Sequence, residues 1–218
     1  MSFADLRFAG YLALSLLVGM SLREYARAWI ASRLGDPTPR LWGRLTWNPR
    51  AWFDPFGSGL LPALVLVLWA AGATFLPPPV AYAKPAPIDP GYLRRQPRDT
   101  LWVGFAGPLA NTAVALLAGL GIRAGIRGEV GGLLVAFELT NLSLAIFHLL
   151  PIPGLDGARL VALALPPAAR SVYQNLDQYL ALFVLLALFL VAGIFSAIVY
   201  SLVDALCTLF SGFPCPPL

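Results

Sequence analysis

The chain has 218 residues, of which 58% are hydrophobic and only 12% charged, and its formal net charge is +4. Soluble domains carry about 25% charged residues, so this composition leaves too few charges to cover a water-exposed surface. It excludes an ordinary soluble protein and indicates a multi-pass membrane protein embedded in a lipid bilayer. The basic residues are not clustered on a polar scaffold, so no nucleic-acid-binding surface is expected.

The first apolar segment predicts a long helix over residues 8–34, which ends before a Gly-Asp-Pro stop signal. Within this helix Arg23 and Arg27 lie one turn apart on a shared face, with Glu24 beside them. Basic residues at the end of a span can extend to the interface, but about two apolar turns follow Arg27. Ionisable residues inside a span usually mark a functional site.

The next two segments leave alternatives open. Leu41, Leu45 and Trp47 recur near period two, which predicts short interfacial strands or a loop. The apolar run 60–76 is only 17 residues long and contains Pro62, so it either spans the membrane thinly or re-enters on the same side. The flanking loops carry equal numbers of basic residues, which favours a cytoplasmic position for both loops and a re-entrant run between them.

Further spans are predicted at 101–122, 131–150 and 180–210. Small residues such as Gly104, Gly107 and Ala110 should let the first of these pack closely, and we expect it to pack against the first helix. Asn111 in the same helix should face protein, where one interhelical hydrogen bond would be enough to explain it.

The stretch FHLLPIPGLDGARL, residues 147–160, interrupts the helical pattern with Pro151 and Pro153. It places Asp156 between two glycines. Irregular backbone at membrane depth is tolerated only where protein buries it or it lines a cavity, so Asp156 is a candidate functional residue. The alternative is a loop aspartate that caps the following helix.

Four of these segments together resemble one family. LREYARAWIASRLGDP, AKPAPIDP, AGPLAN and LLPIPGLDG resemble, in order, the motifs of the site-2 proteases, which are intramembrane zinc metalloproteases, and of their short bacterial branch in particular. The resemblance extends over residues 10–200. It implies an all-α membrane protein with a site-2 protease-like core, and we interpret residues 1–218 as a single domain in the bacterial cell membrane.

The departures from the family pattern lie in the active site. The family has His-Glu-x-x-His on its first core helix, but Arg23 and Arg27 stand at the two zinc-binding histidine positions. Glu24 retains the general-base position, and Asp156 retains the position of the third metal ligand. His148 replaces a family asparagine that helps to position the substrate, and Asn111 and His148 are expected to line the substrate cleft.

These departures predict that the zinc site is lost and that no cofactor is bound. A guanidinium group has only donors and cannot coordinate a cation. Two arginines facing Glu24 and Asp156 would instead balance the charge of the site. A salvage metal site made of His148, Asp156 and Glu24 is the alternative, although both arginines would compete for its carboxylates.

The functional expectation is a catalytically inactive homologue, a pseudoprotease, that binds or scaffolds transmembrane partners through the retained cleft. The alternative is an active intramembrane zinc metalloprotease with a non-standard site. A transporter is disfavoured because the polar residues gather at one place instead of following a path across the membrane.

Overall fold

The computed structural model describes residues 3–70, 79, 81–179, 182–184 and 192–216. Regular structure within these residues is helical, which confirms the predicted all-α class. The α-helices, in chain order, are α1 (Phe3–Arg33), α2 (Thr38–Leu41), α3 (Leu61–Ala70), α4 (Arg98–Arg123), α5 (Gly128–Leu149), α6 (Asp156–Ala164), α7 (Pro167–Asn175) and α8 (Ala192–Phe210).

Three of these helices, α1, α4 and α5, are long and apolar enough to cross a membrane. The predicted spans at 8–34, 101–122 and 131–150 are therefore confirmed. The predicted last span, 180–210, falls partly outside the described residues, and its described part contains α8.

The helices α1, α4 and α5 pack together and form the centre of the protein. Arg7 pairs with Glu129 near the start of both α1 and α5, and further along Asn141 Nδ2 donates to Ser15 Oγ at 3.3 Å. These pairs advance in the same direction along both helices, so α1 and α5 run parallel. Helix α4 runs antiparallel to them, since the short turn after Arg123 leads directly into α5.

The two long loops meet on one side of this bundle. The Asp89 N–H donates to Asp36 Oδ2 at 2.8 Å, and the Arg94 N–H donates to Leu34 O at 3.3 Å. The prediction that both loops lie on the same side is confirmed.

The opposite side carries the α4–α5 turn and a disulfide between Cys207 and Cys215. Sequence alone gave no indication of the redox compartment. Disulfides persist mainly in oxidising compartments outside the cytosol. The disulfide therefore agrees with a cytoplasmic position for the basic loops on the other side.

The run 60–76 begins at a point to which the chain later returns. The Tyr82 N–H donates to Gly57 O at 3.2 Å, and Ser58 Oγ donates to Tyr82 O at 3.0 Å. Residues 57 and 82 are thus neighbours on one side of the bundle, which supports the re-entrant alternative. Residues 71–76 of the predicted run lie outside the described residues.

The strand alternative for the segment around Leu41 and Trp47 is wrong, since residues 38–54 contain a short helix and turns. The Arg44 N–H donates to Pro39 O at 2.8 Å, and Gly43 adopts a φ of +65°, so the chain turns back locally instead of extending. Trp47 is 62% exposed, as expected for a tryptophan at a membrane interface.

Candidate functional site

Four charged side chains meet in the interior, three from α1 and one from the start of α6. Arg23, Glu24 and Arg27 are exposed by 4%, 0% and 2%, and Asp156 by 1%. The three α1 residues share a region of the helix because they lie within one and a half turns. The break between α5 and α6 brings Asp156 to them from a distant part of the sequence.

The four groups form a closed ionic cluster. Arg23 donates from Nη1 to Glu24 and from Nη2 to Asp156. Arg27 Nη1 lies 3.0 Å from Glu24 Oε2, and Arg27 Nε lies 3.2 Å from Asp156 Oδ1. Two positive and two negative charges therefore balance in the low-dielectric interior, as the sequence analysis expected.

A backbone group from the distant loop completes the cluster. The Ala86 N–H donates to Glu24 Oε2 at 2.9 Å. Ala86 belongs to the AKPAPIDP motif, and its contact with Glu24 was not predicted from the sequence. The motif itself was the only signal, because a backbone donor leaves no trace in residue type.

The local backbone at Asp156 is specified by glycine. A Cβ atom on Gly157 would lie 2.0 Å from Leu149 O, so a larger residue would push α6 away from the end of α5. Asp156 lies within α6, whose N-cap is Leu155, and its carboxylate contacts arginines. The alternative of a simple capping aspartate is wrong.

Small residues on α4 make room for the cluster. A Cβ atom on Gly107 would lie 2.7 Å from Arg23 Cγ and 3.2 Å from Arg27 Cδ, so this glycine accommodates both arginine side chains. Gly104 instead faces α6, where an added Cβ would lie 3.2 Å from Leu160 Cδ2. The expected packing against α1 therefore holds at Gly107, whereas Gly104 was assigned to the wrong neighbour.

Asn111 and His148 are both buried, with exposures of 0% and 1%. His148 Nδ1 lies 2.8 Å from Leu144 O, and its Nε2 has no hydrogen-bond partner among the described residues. Both polar atoms of the Asn111 side chain also lack a partner in that part of the chain. Their expected role in a substrate cleft stays a prediction.

The side chains of the cluster do not fit a zinc ion. Zinc requires neutral imidazole or anionic ligands at about 2.0–2.3 Å, and arginine supplies neither. The carboxylates that could act as ligands already accept hydrogen bonds from the two guanidinium groups. The arrangement can hold charge and shape in place, but it offers a metal no open donor set.

Glu138 of α5, a buried acid inside a membrane-spanning helix, was not predicted as a candidate site residue from the sequence. It is 2% exposed and lies far along the helix from the cluster. The signal was available in the sequence as a single glutamate inside the apolar run LLVAFELTNL.

Known proteins are similar to this chain over most of its length. The chain is similar to "Putative zinc metalloprotease YwhC" of Bacillus subtilis, with 28% identity over 78% of this chain and 75% of the relative. It is also similar to "Putative zinc metalloprotease Rip2" of Mycobacterium tuberculosis, with 34% identity over 86% of this chain and 71% of the relative. No family model and no solved structure matches the chain. The extent and identity of these matches, together with the four motifs and the helical core, show that the chain belongs to the site-2 protease family.

Proposed function

We propose that this protein is a catalytically inactive member of the family, which binds no zinc at the family site and cleaves no substrate there. The observation that carries the proposal is the pairing of Arg23 and Arg27 with both Glu24 and Asp156. Each arginine stands where the family has a zinc-binding histidine. The positive charge of the missing ion is thereby supplied by the protein itself.

The state of Glu24 supports the same conclusion. In a metalloprotease, the metal acidifies a bound water and a nearby carboxylate accepts its proton. Here the Glu24 carboxylate accepts hydrogen bonds from Arg23, Arg27 and the Ala86 N–H. With its lone pairs occupied and no acidified water, Glu24 serves as a structural anion.

The salvage metal site receives no support from the geometry. Among the described residues, the possible ligand atoms of Glu24, Asp156 and His148 do not all lie within 4.8 Å of one another. An active enzyme with that set of ligands would require the cluster to rearrange and both ion pairs of Asp156 to break.

The retained function is the binding of transmembrane segments of partner proteins in the bacterial cell membrane. A cavity of about 210 Å³ lies between α4, α6 and the loop before α4, and is lined by Val103, Ala158 and Leu163 among others. This cavity has room for one or two side chains of a partner's transmembrane helix. Asn111 and His148 are buried and do not line this cavity, so the proposed binding rests on the cavity walls.

A photocrosslinking experiment tests the binding role. A photoreactive residue at Leu163, in the cavity wall, should crosslink membrane proteins in intact membranes. The matched control is Leu14, which is 46% exposed on α1 and does not line the cavity. Equal crosslinking yields and equal partners at the two positions would contradict a binding cleft.

A proteolysis assay tests inactivity. Purified protein reconstituted with single-helix membrane substrates, including any partner captured by crosslinking, should give no cleavage above background. The Glu24→Gln variant should behave identically, because Glu24 is not a base in this account. Cleavage that disappears in Glu24→Gln would establish the active-protease alternative.

A further inference from the structure

A buried ionisable group in the middle of a membrane-spanning helix lies away from the arginine cluster. Glu138, in the membrane-spanning helix α5, is 2% exposed, and its Oε1 has no hydrogen-bond partner among the described residues. Within the same part of the chain it forms no ion pair. A buried carboxylate without a counter-charge is costly in a membrane, so its presence requires an explanation.

The neighbours of Glu138 include both cysteines. A carboxylate oxygen of Glu138 and the sulfur atoms of Cys207 and Cys215 all lie within 4.8 Å of one another. Cys207 is fully buried on α8, and Cys215 lies in the tail after it. Ser211, between the two cysteines, lines the same cavity as Glu138.

We propose that Glu138, Cys207 and Cys215 form a redox-gated site for a thiophilic divalent metal ion such as zinc. In the disulfide form the site is closed to metal. After reduction, two thiolates and one carboxylate bind a single ion. This set of one hard and two soft anionic ligands suits zinc and its analogues cobalt and cadmium.

The geometry suits such an ion. Ligands at about 2.0–2.3 Å from a tetrahedral metal lie roughly 3.3–3.8 Å from one another. The two sulfur atoms, which are bonded here, therefore separate after reduction, while the Glu138 carboxylate already lies within 4.8 Å of both. The fold keeps the two sulfur atoms close when their bond is broken. The Ser211 N–H donates to Cys207 O at 2.8 Å, and the Cys215 N–H donates to Asp204 Oδ1 at 3.2 Å, while Gly212 turns the tail back with a φ of +84°.

The reaction balances with a dithiol as the reductant. A dithiol gives two electrons and two protons to the protein disulfide, which becomes two thiols, while the dithiol becomes a disulfide. Metal binding then replaces the two thiol protons, which leave to solvent.

In the metal form, two positive charges and three negative ligand charges sum to minus one, so binding leaves a single net charge to be buried. Arg127 lines the same cavity and places a positive charge on its wall in either state.

A cavity gives access to the site. A space of about 390 Å³ is lined by Glu138, Ser211 and Cys215, on the side of the bundle opposite the basic loops. It has room for an incoming ion and for a water molecule or the Ser211 hydroxyl as the fourth ligand.

Cobalt or cadmium titration of the full-length protein in detergent tests the proposal. The protein is reduced with dithiothreitol, freed of the reductant without oxygen, and titrated beside an unreduced sample. The reduced protein should bind one ion per chain with a thiolate-to-metal absorption band, and the unreduced protein should bind none at this site. Absence of the band in reduced protein, or equal binding without reduction, would overturn the proposal.

Variants identify the ligands and separate this site from the arginine cluster. Cys207→Ser and Cys215→Ser should abolish the absorption band, and Glu138→Gln should weaken binding at least about tenfold. Glu129→Gln, on the exposed start of α5, is the matched control and should bind normally. Because metal binding here depends only on Glu138, Cys207 and Cys215, the result is independent of the proposed loss of the family site. Metal binding that survives Cys215→Ser, or that is unchanged in Glu138→Gln, would contradict the three-ligand site.

Discussion

At the scale of single residues, the cluster in α1 and α6 is a buried salt-bridge network. Such a network is not a strong source of stability, because removing four charged groups from water offsets much of their attraction. Its members nevertheless depend on one another, since Asp156 contacts both Arg23 and Arg27. Removing one member leaves the others buried and unpaired.

Asp156→Ala should therefore destabilise the protein by about 3–5 kcal/mol, as expected when one partner of a buried ion pair is lost. Arg33→Ala is the control, because Arg33 is exposed near the end of α1 and should change stability little. Unfolding in detergent, followed by temperature or denaturant, measures both. A variant with Arg23, Arg27 and Asp156 all neutral should lose less than the sum of the single changes. Strict additivity would show that the groups are not coupled.

Gly107→Leu should destabilise the fold by about 1–3 kcal/mol, because the larger side chain collides with Arg23 and Arg27. Gly10→Leu is a matched helical control, since an added Cβ at Gly10 would have nothing within 4 Å. Unfolding temperature in detergent compares the two variants. An equal effect at both glycines would contradict close packing of α4 on the cluster.

At the scale of elements, the sequence did not reveal that the chain returns at residue 82 to residue 57. Hydropathy located α1, α4 and α5 because their apolar runs have the length of a bilayer core. It could not distinguish a thin span from a re-entrant run of 17 residues, since both have the same composition. The near-alternation of apolar residues also suggested short strands, in a segment that turns at Pro39 and Gly43. Short-range alternation carries no information about tertiary contacts.

The contact at residue 57 can be tested by substitution. A Cβ atom on Gly57 would lie 2.4 Å from Tyr82 O, so Gly57→Ala should separate the two segments and expose them to limited proteolysis. Gly59→Ala is the control from the same turn, where an added Cβ would reach only an ordinary contact with Phe53 at 3.4 Å. Identical proteolysis of both variants would show that the contact is not needed to hold the segment.

The same limit applies to the site. The spacing of Arg23 and Arg27 on one helix follows directly from the sequence, and the family resemblance pointed to Asp156. The closing contact from Ala86 and the alignment of Gly104 with Leu160 depend on how the helices are placed, so no local pattern could reveal them.

At the scale of the whole molecule, charge and covalent structure indicate the same orientation. The basic loops lie on one side of the bundle and the disulfide on the other. Loops rich in lysine and arginine remain in the cytoplasm, whereas disulfides persist outside it. The two observations are independent of each other.

Cysteine labelling in intact cells should confirm this orientation. Arg50→Cys, in the exposed basic loop, should react with a membrane-impermeant maleimide only after lysis, and Ala124→Cys, in the exposed α4–α5 turn, should react before it. The native cysteines form a disulfide and do not react under non-reducing conditions. The reverse pattern would place the basic loops outside the cytoplasm.

The most direct test of the central claim measures the zinc content of the protein and of its Arg23→His, Arg27→His double variant. Both are purified without added metal, and without reductant so that the disulfide stays intact. The account predicts no stoichiometric zinc in the parent protein. The double variant should acquire about one zinc per chain, because two histidines and Asp156 would restore three ligands, and should lose it again with Asp156→Asn. One zinc per chain in the parent, lost with Asp156→Asn, would contradict the account.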